Sequence, residues 1–305
     1  MINEYINKLI DNLPIKPSES PQLIDLIFEG GFFNGSYLVG VGLFLKEMEK
    51  KKYIKIDRIS GCSIGSFVSL LYVSDKMEYF SQLYENMILN LKKDYCFKNY
   101  KKIFEYLREI LPENICELMN NKVFINYYNI KTCKSIVKHK YSSIDDIFET
   151  ILKSCFAPFC INGDLCYKNK YIDGLFPYIF EKTKNKKILL IDLLTYEKMY
   201  NCINVKNEKT NFHRVLCGLL EIHNFFIKQS RTDMCSYVND WSYIDNFKYF
   251  FIKKKLIEKS VVYGIYYFIY FKNFFGEKIS DNILFKLISK IMKDIYIVLL
   301  DTYLL

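Results

Sequence analysis

Apolar residues fall first into short blocks and later into long helical periodicities. Residues 23–28 form a short apolar run, broken only by Asp25, that stops at Gly30-Gly31. From Gly35 to Glu49 the apolar positions Tyr37, Val41, Phe44, Leu45 and Met48 recur at helical spacing, with Lys and Glu gathering at the end. A second short run, residues 54–59, leads into Gly61-Cys62-Ser63-Ile64-Gly65, and a helical pattern follows at once to about Val73. Strand, glycine turn and helix, given twice, is the grammar of a parallel sheet with crossover helices.

Residues 77–119 read as several helices separated at Asp94, Asn99 and Pro112. Residues 123–137 have the aromatic and β-branched content of one or two strands around Asn129. Ser143 stands three residues before Asp146 at the start of an apolar-periodic stretch, so Ser143 is the expected N-cap, with Asp146 reaching back. That helix should end before Pro158. Residues 167–172 read as a short strand ending on Asp173-Gly174, and 187–194 as the last clear strand. Long helical patterns near 212–238, 243–275 and 282–304 close the chain. Ahead of all this, a polar stretch is punctuated by Pro14, Pro17 and Pro21. The chain thus divides into a lead-in segment (1–21), an α/β domain (22–199) and a helical C-terminal region (200–305) packed on or extending that domain.

Half of the residues are hydrophobic and a quarter charged, which predicts a packed core rather than disorder. The net charge of +9 speaks to association, not to fold. No Arg-rich arm, zinc-finger spacing or aromatic RNA-binding signature accompanies it, so nucleic acid is not an expected partner. The ten cysteines show no C-x-x-C, and no histidine sits at metal-ligand spacing, so neither metal nor cofactor is expected. Residues 1–14 have no apolar signal core. Residues 261–271, the longest apolar run, fall short of the ~20 residues that a membrane span needs. The expected setting is cytoplasmic, with reduced thiols and, at most, peripheral contact with membranes. The 261–271 run, flanked by Lys253-Lys254-Lys255 and Lys272, reads first as a core helix and second as a helix lying on lipid.

The chemistry concentrates in two turns. A serine in Gly61-x-Ser63-x-Gly65, between strand and helix, exposes its hydroxyl at the sheet end, and glycine neighbours let the backbone bend there. The helix N-terminus favours a developing alkoxide. Gly30-Gly31-Phe32-Phe33-Asn34-Gly35 occupies the preceding turn, at the same edge of a parallel sheet. Its N–H groups can face Ser63 as an oxyanion hole, each donor being worth roughly 100- to 1000-fold in rate. G-x-G-x-x-G and the Lys-Ser/Thr of a P-loop are missing, which argues against nucleotide binding.

With Ser154-Cys155-Phe156-Ala157-Pro158 and Tyr171-Ile172-Asp173-Gly174 added, these motifs stand in the order seen in patatin-like phospholipases, which residues 22–195 resemble. The resemblance implies a three-layer α/β/α sandwich with a mostly parallel central sheet, plus the helical C-terminal part. It implies hydrolysis of acyl esters in phospholipids or other acyl lipids by a Ser63–Asp173 dyad. Gly30, Gly31, Phe32 and Phe33 would form the oxyanion hole, with Gly35, Gly61, Gly65 and Gly174 in support. Four features depart from the family. Phe32 replaces a third glycine, Asn34 a frequent Arg or Lys, and Leu175 a Gly or Ala, and the usual downstream Asn is missing or displaced at Pro177-Tyr178.

Two other readings fit the residues. One is an α/β-hydrolase triad of Ser63 with Asp173 or Asp192 and His213 or His223. The other is a catalytically silent lipid-binding module, which Phe32 and Leu175 would suit. A carboxylate base is expected to spare activity around the histidine pKa of ~6.5, where an imidazole base would lose it.

Overall fold

The computed structural model describes residues 2–202, 204–206, 208, 210–242, 247–274 and 283–304. The stretch before Pro21 is more than a lead-in. It holds a helix, α1 (Ile2–Asp11), because Ile6 and Ile10 stand one turn apart and bury one face against the main core. Then come β1 (Gln22–Phe28), α2 (Gly35–Lys50), β2 (Ile54–Cys62) and α3 (Ile64–Val73). Next, α4 (Phe80–Asp94), α5 (Tyr100–Ile110) and α6 (Ile115–Met119) break where Asp94, Asn99 and Pro112 predict. β3 (Val123–Asn129) and β4 (Lys134–Lys138) precede α7 (Ile144–Ser154). The Ser143 Oγ caps α7 by accepting the Asp146 N–H at 3.2 Å, whereas the Asp146 carboxylate turns to the Ser142 N–H and to Lys138.

The remaining elements are β5 (Tyr171–Asp173), β6 (Lys186–Ile191), α8 (Tyr196–Met199), α9 (Phe212–Lys228), β7 (Cys235–Tyr237), α10 (Phe247–Phe274) and α11 (Ile283–Leu304). The helical pattern over 212–238 stops early. Gln229 turns left-handed at φ 49°, and the returning chain adds β7 to the sheet. Tyr243, Phe275 and Asn282, the expected ends of the last two patterns, lie outside the described residues.

The strands run β4-β3-β2-β1-β6-β7, with β5 also pairing with β3. β1, β2, β3 and β6 are parallel, while β4, β5 and β7 pair antiparallel. Asp25 breaks the apolar pattern of β1 without breaking the strand, because Arg58 of β2 holds its fully buried carboxylate through Nε at 3.0 Å and Nη2 at 2.5 Å.

Alternation along the strands separates two faces. Leu26, Phe28, Leu189 and Ile191 enter the large core under α1–α4, α7 and α9. Ile27, Ile188 and Leu190 point the other way, into a smaller cluster with Phe180 and Val238. On that second face, Val262 of α10 packs against Tyr128, Ile130 and Ile172. Helix, sheet and helix make the expected three layers. α9 belongs to the first of them: a Cβ on Gly40 of α2 would lie 1.8 Å from the Val215 oxygen, and one on Gly218 2.0 Å from the Tyr37 oxygen. The backbones of α2 and α9 touch there. No helix among the described residues is long and apolar enough to cross a membrane.

Candidate active site

β2 ends at Cys62 and α3 begins at Ile64, so Ser63 alone makes the strand-to-helix turn. It does so at φ 51° and ψ −131°, a conformation that a side-chain-bearing residue keeps only where its surroundings hold it. Those surroundings are tight. A Cβ on Gly65 would sit 2.4 Å from the Phe28 oxygen, and one on Gly61 2.6 Å from the Gly65 oxygen. The Ser63 N–H donates to Ser154 Oγ at 2.9 Å, and that hydroxyl donates in turn to the Asn126 oxygen at 2.7 Å.

Along β3, β5 takes up the place that β2 gives up. Cys62 stands opposite Asn126, and Asp173 stands opposite the next residue, Tyr127. Ser63 and Asp173 therefore meet head to head from two strands. The Ser63 side chain lies beside the Asp173 carboxylate, whose Oδ1 accepts the Leu175 N–H at 2.8 Å. Burial pushes the Asp173 pKa from 3.8 up to about 6, and the Ser63 side chain and the Leu175 N–H pull the other way. A buried carboxylate beside a hydroxyl and titrating near neutrality is suited to accepting its proton.

Asn126 braces the Asp-Gly loop. Its Nδ2 donates to the Gly174 oxygen at 3.1 Å and to the Phe176 oxygen at 2.5 Å, and a Cβ on Gly174 would lie 2.2 Å from the Asn126 backbone oxygen. Sequence reasoning missed Asn126 and gave Ser154 no role. The available signal was an amide in mid-strand, between Ile125 and Tyr127 of Val123–Asn129.

The glycine turn lies one strand over. A Cβ on Gly30 would come within 3.0 Å of the Ser63 Cβ. The same Cβ would lie 3.3 Å from the Cys62 sulfur. The amides of Gly31, Phe32 and Phe33 stand at the start of the 3-10 turn Phe32–Asn34, where N–H groups lack intrahelical acceptors. Phe32 and Leu175, two of the departures from the family, take φ of 51° and 53°. These are left-handed positions that favour glycine, at a cost of about 1 kcal/mol for a side chain. Asn34, the third departure, donates to the Leu193 and Lys198 oxygens and accepts from Arg214 Nη1 at 2.7 Å. The cation absent from the turn arrives from α9.

The three histidines are engaged elsewhere. His213 is exposed beside Glu208, His223 packs on Phe44, and His139 stacks on Phe124. Asp192 is held by Lys254 at 2.9 Å. Beside Ser63 opens a cavity of about 90 Å³ walled by Phe32, Phe67, Phe97, Phe104, Leu152 and Ile161 among others, almost wholly apolar.

Fold and site together define an α/β protein with an elbow serine facing a buried aspartate. Residues 26–176, just under half of the chain, match the family model described as patatin-like phospholipase and make up a domain of that kind. It is 29% identical over 140 residues to mouse "1-acylglycerol-3-phosphate O-acyltransferase Pnpla3", covering 44% of this chain and 34% of that protein. It is 27% identical over 163 residues to human "Patatin-like phospholipase domain-containing protein 4", covering 50% of this chain and 64% of that protein. The chain thus spans less than two thirds of the length of either relative.

Proposed function

We propose that the chain is a lipid acyl hydrolase of phospholipase A type, working through Ser63 and Asp173. The supporting observation is the elbow serine, on the wall of an apolar cavity, set beside the buried Asp173 carboxylate. Asp173 accepts the Ser63 Oγ proton as Oγ bonds to the ester carbonyl carbon. The amides of Gly31, Phe32 and Phe33 receive the oxyanion. Collapse expels the alcohol, which takes the proton from Asp173. Water, giving one proton to Asp173, then attacks the acyl carbon, and Asp173 returns that proton to Ser63 Oγ as the fatty acid leaves. The histidine partners named above count against a triad. The ten free thiols support a reducing, cytoplasmic setting, and a substrate held in aggregates supports work at a membrane surface.

A second reading shares the first half of this path. One relative is named an acyltransferase, and a lysolipid hydroxyl in place of water would turn hydrolysis into transfer. A fluorophosphonate should add covalently to the wild type at Ser63 and not to Ser63→Ala, as read by intact mass. Fatty acid release from phospholipid then supports hydrolysis, and acyl transfer to added lysophosphatidate supports the second reading. A folded, lipid-bound protein that takes no label would favour the silent module.

The cavity is well below the ~300 Å³ at which ligand pockets usually begin, and the half-buried Phe32 ring forms part of its wall. Phe32→Gly relieves the left-handed strain and opens that wall. Turnover of long-chain relative to short-chain esters should rise about tenfold. An unchanged ratio would remove Phe32 as the determinant of chain length.

A further inference from the structure

α10 sets two charged side chains among its inward residues and leaves a broad apolar surface outside. Its inward stripe is Lys254, Glu258, Val262, Ile265, Tyr266 and Ile269, at spacings of three and four. The two charged members are tied down. Lys254 Nζ donates to Glu29 Oε1 at 3.0 Å and to Asp192 Oδ1 at 2.9 Å, and the Tyr128 hydroxyl donates to Glu258. The outward face carries Ile252, Leu256, Ile257, Val261, Tyr263 and Tyr267, each more than 40% exposed. α11 continues the pattern with exposed Leu287, Ile288, Ile291 and Ile295. Its inward Tyr296 donates to the Tyr95 oxygen at 2.8 Å, two residues before Phe97 of the cavity wall.

Place and charge indicate what covers this face. Glu29, Asp192 and Ser63 follow directly on the C-terminal ends of β1, β6 and β2, so α10 is anchored at the sheet edge that carries Ser63. Among the described residues the exposed charges on α10 are all basic, Lys253, Lys255 and Lys259, and α11 exposes Lys286 and Lys290 against one acid, Asp294. A second copy would set this basic excess against itself. An anionic lipid surface offers opposite charge to the lysines and an apolar layer to the side chains between them. We infer that the outward faces of α10 and α11 form a docking surface for anionic lipid, presenting the Ser63 cavity to the layer that holds its substrate. The choice of lipid rests on the proposed lipid-acting site.

The test is cosedimentation of the full chain with vesicles of phosphatidylcholine, alone or mixed with phosphatidylserine. Binding should favour the anionic vesicles by about tenfold or more, at roughly 1 kcal/mol per engaged lysine, and fall with added salt. Leu256→Asp with Tyr267→Asp changes exposed positions only and should weaken anionic binding at least about tenfold with an unchanged circular dichroism spectrum. Equal binding to both vesicle types, or full binding by the variant, overturns the inference. So does self-association of the wild type that the same variant abolishes, which would assign the face to a second copy. Ser63→Ala protein should bind as the wild type does, so the measurement stands even where the catalytic reading fails.

Discussion

Asp173→Asn is expected to lower kcat for ester hydrolysis by about a thousandfold while making the protein more stable at pH 8. The first effect follows from the chemistry, since an amide can accept a hydrogen bond from Ser63 but cannot take its proton, and general-base catalysis contributes roughly 10²–10⁴-fold. The second follows from burial. With its pKa raised from 3.8 to about 6, the folded state favours protonated Asp173. That preference stabilises the fold fully below pH ~4 and is lost as pH rises through about 6, leaving an ionised group that costs about 3 kcal/mol. Asparagine avoids the cost and can still accept the Leu175 N–H. Melting curves of the two forms should therefore diverge above pH 6 and converge below pH 4. Wild-type activity should fall as pH drops through about 6, because only ionised Asp173 acts as base. An Asp173→Asn enzyme that keeps its turnover, or that melts earlier at pH 8, would contradict this account.

Arg214→Ala is expected to cost about 3–5 kcal/mol of stability, the range for removing one partner of a buried pair. The guanidinium is 1% exposed, and every nitrogen is used. Nε and Nη2 hold Glu208 at 3.0 and 2.6 Å, Nη2 also reaches the Asn204 oxygen at 2.8 Å, and Nη1 reaches Asn34 and the Asn201 oxygen at 2.7 and 2.8 Å. Removal strands Glu208, frees Asn34 and loosens the turn that carries Gly31 and Phe32. Arg214→Lys keeps the charge without the fork and should fall between the two. Chemical denaturation reads the loss directly, and a change below 1 kcal/mol would show that the network does not hold the turn.

The legible parts of the fold were those written in local periodicity. The two strand–turn–helix units, the helix breaks at Asp94 and Pro112 and the Ser143 cap all follow from neighbouring residues. β7 was not legible, since three residues carry no period, and α1 was hidden because prolines and charges outweighed two isoleucines one turn apart. In the site, Ser63 is marked by its glycines and Asp173 by its own glycine. Asn126, Ser154 and Arg214 act through partners 28 to 180 residues away, which no window can see. Arg214 did leave a trace, as a cation on an otherwise apolar stripe with Val215, Gly218, Leu219 and Ile222. α10 departs from the usual rule, because Lys254 and Glu258 face in while large apolar side chains face out.

The use of β3 as a common splint has a mechanical consequence. Ser63 and Asp173 reach the site from separate strands, yet Cys62, just before Ser63, and Asp173 register against adjacent residues of β3, roughly 3.3 Å apart along it. Any tilt or slide of β3 carries hydroxyl and carboxylate together, and their separation survives. The Gly30–Phe33 turn hangs instead from β1 and is stayed by α9 through Asn34. On the proposed chemistry, motion within this centre would divide along one seam, with Ser63 and Asp173 on one side and the Gly31–Phe33 amides on the other. Temperature, lipid contact or substitution at a distance would change the rate by shifting these two pieces against each other, and would leave the pair itself intact.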